Sequence, residues 1–163
     1  MFGREFKIGH SFDIHELVRN RPLYLGGIEI PANYGLLGHS DADVLLHVVC
    51  EAILGALAKG DLGTNFPDYL PQYKNIRSEK LVKEALNKLV EEGYEIANLD
   101  ALLYLESTKL EPYIFNMREN IAKILGLTLN KVSIKATTTE KIGPIGEDRA
   151  IAAEAVVLIK EII

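Results

Sequence analysis

Two stretches of this chain, residues 96–106 and 150–159, carry apolar side chains on both sides of an extended backbone. In the first, Leu99, Ala101, Leu103 and Leu105 alternate with Asp100, Leu102 and Tyr104; the second reads Ala-Ile-Ala-Ala-Glu-Ala-Val-Val-Leu-Ile. Successive strand residues point to opposite faces, so such strands belong in a sheet covered on both sides. Three helical patterns supply one cover. The first spans about residues 40–58. The second opens at Ser78-Glu79, buries Leu81, Val82, Ala85, Leu86, Leu89 and Val90, and closes at Gly93. The third opens at Glu111-Pro112 and ends at Leu125-Gly126. Further strands are expected at 5–15 and 132–138. Leu23-Tyr24-Leu25 and Ile28-Glu29-Ile30 around Gly26-Gly27 read as a hairpin. The whole predicts one domain over residues 1–163, an α+β two-layer sandwich with a ferredoxin-like βαββαβ core, an added hairpin and helices on one face. Nothing in the chain is left to cover the second face, which predicts a homo-oligomer.

Composition narrows what such a domain does. Acidic residues outnumber basic ones 23 to 18 and no Lys/Arg run occurs, which argues against a nucleic-acid surface. A polyanionic ligand must then be held by metals, helix N-termini or a few placed lysines. Cys50 is the only cysteine, so no internal disulfide forms; it falls in an apolar helix pattern as a small buried hydrophobe. With no signal-peptide pattern and no membrane-spanning run, the expectation is a soluble, cytoplasmic protein without membrane partners.

The chemistry concentrates in two places. In residues 5–15, Phe6, Ile8, His10, Phe12 and Ile14 share one side, while Asp13 and His15 sit together on the other. The segment 39–47 reads as a helix start, Ser40 as N-cap and Asp43 as its capping-box acid, with His47 about two turns inside. Asp13, His15 and His47 thus offer one oxygen and two nitrogens from separate elements, the donor set of a three-ligand zinc site with an open corner. The second place is Lys-Ala-Thr-Thr-Thr-Glu-Lys at 135–141, on a strand end. Threonines favour strands and need no ligand to explain them. The same hydroxyls also suit phosphate oxygens, with Glu140 as an oxygen ligand for Mg²⁺ or Mn²⁺.

Four blocks in order, Gly-His-Ser-Phe-Asp-Ile-His (9–15), Leu-Leu-Gly-His-Ser-Asp-Ala-Asp-Val-Leu-Leu-His (36–47), Gly-Asp-Leu-Gly-Thr-Asn-Phe-Pro-Asp (60–68) and the 135–141 run, resemble the 2-C-methyl-D-erythritol 2,4-cyclodiphosphate synthase family of the non-mevalonate isoprenoid pathway. The resemblance implies a homotrimer with active sites between subunits, closing a diphosphocytidyl substrate into a cyclic diphosphate with loss of CMP. It implies zinc on Asp13, His15 and His47, and His39 and Ser40 at the methylerythritol phosphate, His39 also stabilising the transition state. Asp61 and Gly63 would meet the sugar-alcohol hydroxyls, with Phe66 and Asp68 in the adjoining loop. Residues 105–111, including Leu105, Lys109, Leu110 and Glu111, would form the cytidine pocket. Thr137, Thr138 and Glu140 would face the diphosphate and second metal, Thr138 in a stabilising role.

The chain also departs from that pattern. Gly146-Glu147-Asp148-Arg149-Ala150 stands where the family commonly shows Gly-Arg-Gly-Glu-Gly, so binding of an isoprenoid diphosphate at the trimer axis is not carried over. Glu106 and Thr108 replace a frequent glutamine and proline, and Glu51 stands where relatives have Asp, with no consequence expected. The rival functions are a phosphoesterase using metal-bound water, and a non-catalytic zinc module with Asp43 as fourth ligand.

Overall fold

The computed structural model describes residues 3–163. Its frame is a five-stranded sheet built on two long strands. β1 (Phe6–Arg19) runs antiparallel to β7 (Ala150–Glu161), pairing from Phe6 opposite Lys160 to Glu16 opposite Ala150. β7 pairs in turn with β5 (Tyr94–Tyr104), so the apolar 150–159 run is the central strand. β6 (Val132–Thr137) adds to β5, and the short β4 (Tyr34–Leu36) pairs with the end of β1 at Leu17 opposite Leu36.

The strand directions correct one expectation. β5 and β6 are parallel, because the helix α4 (Ile114–Leu125) lies between them, and a helical crossover returns the chain in the same direction. Between β6 and β7 there is only the four-residue α5 (Gly143–Gly146). The core order is therefore βαβαββ, with α1 (Val44–Ala56) and α3 (Ser78–Glu91) together in the first crossover, rather than βαββαβ. The segment 34–38 contains β4, and the loop at 61–68 contains one helical turn, α2 (Leu62–Asn65).

β2 (Leu23–Leu25) and β3 (Ile28–Ile30) form the expected hairpin, with Gly26 and Gly27 at φ 64° and 77°, both in the left-handed region that a type I′ turn requires. α1 lies across β1 and β7, while α3 and α4 serve β5 and β6. α1 is buried nearly all round. Its Cys50 is fully buried, and burial pushes the thiol well above its ordinary range, the inert hydrophobe expected. On the helix-free side Phe6, Ile8, Phe12 and Ile14 are 45–69% exposed, and Val156 of β7 joins them. No helix among the described residues is long and apolar enough to cross a membrane.

The contact of β1 with α1 depends on Gly9. A Cβ there would stand 1.8 Å from the Ala52 carbonyl oxygen and 2.7 Å from the Ala56 nitrogen, both backbone atoms deep in α1. Neither can move without shifting the helix off the sheet. Gly9→Ala is expected to destabilise the fold by about 3 kcal/mol, a fall in Tm of roughly 10 °C for a chain of this size. Thermal unfolding followed by circular dichroism checks it, and an unchanged Tm would show that the two elements are not in such close contact.

Candidate functional site

Alternation along β1 puts Asp13 and His15 on the same side, facing α1, and α1 supplies His47. Asp13 Oδ2 lies 2.9 Å from His15 Nε2 and 3.3 Å from His47 Nδ1, and all three donor atoms fall within 4.8 Å of one another. The Leu37 carbonyl accepts from His15 Nδ1 at 2.7 Å. A carbonyl has no proton to give, so Nδ1 carries the hydrogen and Nε2 aims a lone pair at the same point as the Asp13 oxygen. Two lone pairs meet there only across a cation, a proton or a metal ion. The donor set of one carboxylate and two imidazoles, with an outer hydrogen bond orienting one ring, fits a zinc-type ion. With a proton at that point His15 and His47 donate to Asp13; burial would raise the Asp13 carboxyl, but these hydrogen bonds outweigh it and hold the group well below the usual carboxylate range. His15 is raised in return, chiefly by its bond to Asp13.

The start of α1 differs from expectation in a way that matters for His47. Ser40 is not the N-cap. It sits at φ 54° in a turn closed by the Ala42 N–H to the His39 carbonyl, and the helix begins only at Val44. Asp43 is the cap. Its carboxylate, itself fully buried, accepts from Leu46 N–H at 3.0 Å, Gly26 N–H at 2.9 Å and Gly27 N–H at 2.6 Å. His47 therefore lies in the first turn, its N–H donating to the Asp43 carbonyl. Because both Asp43 oxygens are committed to backbone groups of α1 and the hairpin turn, Asp43 is not a fourth metal ligand.

The loop between α1 and α3 carries the next candidates. Asp61 caps α2, accepting from Thr64 N–H at 2.8 Å, and Gly63 lies exposed in the same turn. His39 and Asp68 are both exposed and face each other at 3.7 Å. Phe66 does not project into solvent; it is 7% exposed and packed edge-on to Tyr73. Glu51, expected to carry no consequence, bridges the two halves of this region. One carboxylate oxygen accepts from Ser11 Oγ on β1 and the other from Leu62 N–H at the head of α2, each at 3.1 Å. Glu51→Ala should cost about 1–2 kcal/mol and lower turnover several-fold while metal content stays at the wild-type level. Metal loss in that variant would show that Glu51 supports the metal group rather than the Asp61 loop. Sequence pattern gave no hint of it beyond a charge on a buried helix.

The second cluster forms at the ends of β5 and β6. Residues 105–111, Ser107 among them, line a cavity of about 710 Å³ together with Ile114, Ala136, Thr137 and Thr138. The Leu105 N–H bonds the Thr137 carbonyl, which sets the two segments side by side. Register places this cavity level with the metal group: Asp13 is opposite Ala153, Ala153 opposite Leu103, and Leu103 opposite Ala136. Three strand spacings separate the two within one chain, roughly 14 Å. Glu140, at φ 53°, is exposed beyond Thr138, and among the described residues no second carboxylate or imidazole joins it in a metal-binding group. A hard cation there needs ligand oxygens from a bound phosphate. Arg149 does not replace the missing arginine at 147 as a free cation, since its guanidinium is 2.8 Å from Glu147.

Sheet, helical layer and Asp/His/His group together define an α+β protein with three donors placed so that they could hold a metal ion. The YgbB family pattern matches residues 6–160, and the chain belongs to that family. Relatives bear the name 2-C-methyl-D-erythritol 2,4-cyclodiphosphate synthase. That of Syntrophotalea carbinolica is 51% identical over 155 residues, covering 95% of this chain and 94% of its own. That of a Geobacillus species is 50% identical over 156 residues, covering 96% and 99%. Among solved structures, the Plasmodium falciparum IspF CDP complex matches with a TM-score of 0.86 at 32% identity, over 97% of each chain. The bifunctional IspDF of Campylobacter jejuni matches at 0.93 and 42% identity over 98% of this chain, which spans 43% of that longer one.

Proposed function

We propose that the chain converts 4-diphosphocytidyl-2-C-methyl-D-erythritol 2-phosphate into 2-C-methyl-D-erythritol 2,4-cyclodiphosphate with release of CMP, as the names of its relatives indicate. The observation that carries this reading is the convergence of Asp13, His15 and His47 on one point, with no fourth His, Cys, Asp or Glu donor among the described residues. A divalent ion held there, zinc or a similar metal, with Mg²⁺ or Mn²⁺ beside Glu140, supplies positive charge to phosphate oxygens. The substrate's own 2-phosphate oxygen attacks the β-phosphorus, the bond to the α-phosphate breaks, and CMP leaves with the bridging oxygen. No side-chain nucleophile is required, in keeping with a buried, inert Cys50. The protein's part is positioning and charge neutralisation.

In this reading Asp61 and Gly63 hold the sugar-alcohol hydroxyls, and the exposed His39 and half-buried Ser40 meet the methylerythritol phosphate, with Phe66 and Asp68 in the flanking loop. His39 and Thr138 stabilise the transition state. Leu105, Lys109, Leu110 and Glu111 hold the cytidine, and Thr137, Thr138 and Glu140 the diphosphate. The assembly is a cytoplasmic homotrimer, whose packing buries the row Phe6, Ile8, Phe12 and Ile14 and sets the metal group of one protomer against the cytidine cavity of the next. The exposed apolar row supports the association.

Phosphorus NMR of the products from the diphosphocytidyl substrate, with metal analysis of the same sample, tests the function. Cyclic diphosphate plus CMP is expected. An acyclic phosphate without the cyclic product would overturn it in favour of hydrolysis by metal-bound water.

A further inference from the structure

The loop that lines the 710 Å³ cavity is tied from outside by a residue that belongs to neither the cavity nor the metal group. Asp148 follows α5, and its backbone is set by bonds from its own N–H to Ile145 O at 3.0 Å and from the Arg149 N–H to Pro144 O at 2.8 Å. That geometry puts Asp148 at φ 55°, in the left-handed region where a side chain is disfavoured and glycine is at ease. The carboxylate found there spans 41 residues of sequence to accept from both donors of Ser107, the N–H at 3.1 Å and the hydroxyl in a shorter contact. Among the described residues Ser107 has no other hydrogen-bond partner. The rest of the loop is held separately: Thr139 N–H donates to Glu106, and the hydroxyls of Tyr34 and Thr108 share a bond. Ser107, at the loop's middle, is fixed by Asp148 alone.

We infer that Asp148 is a positioning residue for the nucleotide pocket, holding Ser107 and thereby the backbone of residues 105–110 in the conformation a base requires. The inference rests on the cavity being the cytidine pocket. A pocket walled by a loop binds tightly in proportion to how little of that loop must be ordered on binding. Two bonds to a carboxylate, one from the backbone and one from a hydroxyl, restrain both the peptide and the side chain of Ser107.

Titration of CMP into the metal-loaded full chain tests this, beside thermal unfolding and steady-state kinetics. Asp148→Gly removes the carboxylate but relieves the backbone, so its Tm should hold or rise while CMP binds about tenfold more weakly. KM for the diphosphocytidyl substrate should rise with kcat retained, and metal content should not change. Ser107→Ala should weaken CMP similarly, and the double variant no further, because both ends of one contact are gone. Asp148→Asn, which tolerates the same backbone and keeps one acceptor oxygen, should recover part of the affinity. Wild-type CMP affinity in Asp148→Gly, or additive losses in the double variant, would overturn the role of Asp148 alone. A wild-type protein that binds no CMP would overturn the cytidine-pocket reading and this inference with it.

Discussion

His47→Ala is expected to lose its bound metal and to slow cyclisation by about a thousandfold or more, the several kcal/mol of charge stabilisation that a Lewis-acidic ion contributes. The effect should be local. Alanine is the best helix former, and His47 sits in the first turn of α1, whose cap, Asp43, is untouched by the change. Asp13 and His15 would remain paired at 2.9 Å, but two donors on alternate strand positions hold a divalent ion far less well than three. Metal analysis by mass spectrometry, circular dichroism and product assay on one preparation check this together. Metal-depleted wild type is the proper comparison, since it shares the empty site and keeps the imidazole. Near-normal turnover in His47→Ala would show that the Asp/His/His group is not the reacting centre.

Glu140→Ala should give the second-largest effect, a shift of about tenfold or more in the Mg²⁺ or Mn²⁺ concentration needed for half-maximal rate. The side chain is exposed, with only a 3.5 Å contact from the Thr138 hydroxyl, so its removal leaves the β6 end intact. Its backbone is left-handed at φ 53°, and alanine bears the same steric penalty as glutamate, so the change isolates the carboxylate. Zinc content should stay at the wild-type level, because Glu140 lies beyond the strand end, three strands from Asp13. An unchanged metal titration would remove Glu140 from the diphosphate side.

How far the site was legible in the sequence varies by residue, for physical reasons. Asp13 and His15 were readable as a pair because alternate strand positions share a face whatever the partner strand is. The hairpin at Gly26-Gly27 was readable because both residues must adopt positive φ, which glycine alone adopts freely. Ser40 misled because a serine before an apolar helix is a good local cap, yet the His39–Ala42 turn pushes the helix start onward and Asp43 takes the cap while also gripping the hairpin. β4 escaped notice because three residues show no periodicity; only its pairing with Leu17–Arg19 makes it a strand. Phe66 looked like a loop aromatic, and its burial against Tyr73 is settled by a segment that turns back on itself.

Local pattern determined the long strands, the long helices, the donor types and the D-x-H pair, because these follow from the period of side-chain direction along one segment of backbone. Tertiary structure alone decided that β5 and β6 run parallel, that Glu51 joins Ser11 to Leu62, and that Asp148 holds Ser107. Each of those depends on where segments tens of residues apart come to rest, and that is set by the burial of the whole apolar surface rather than by any residue's own neighbours.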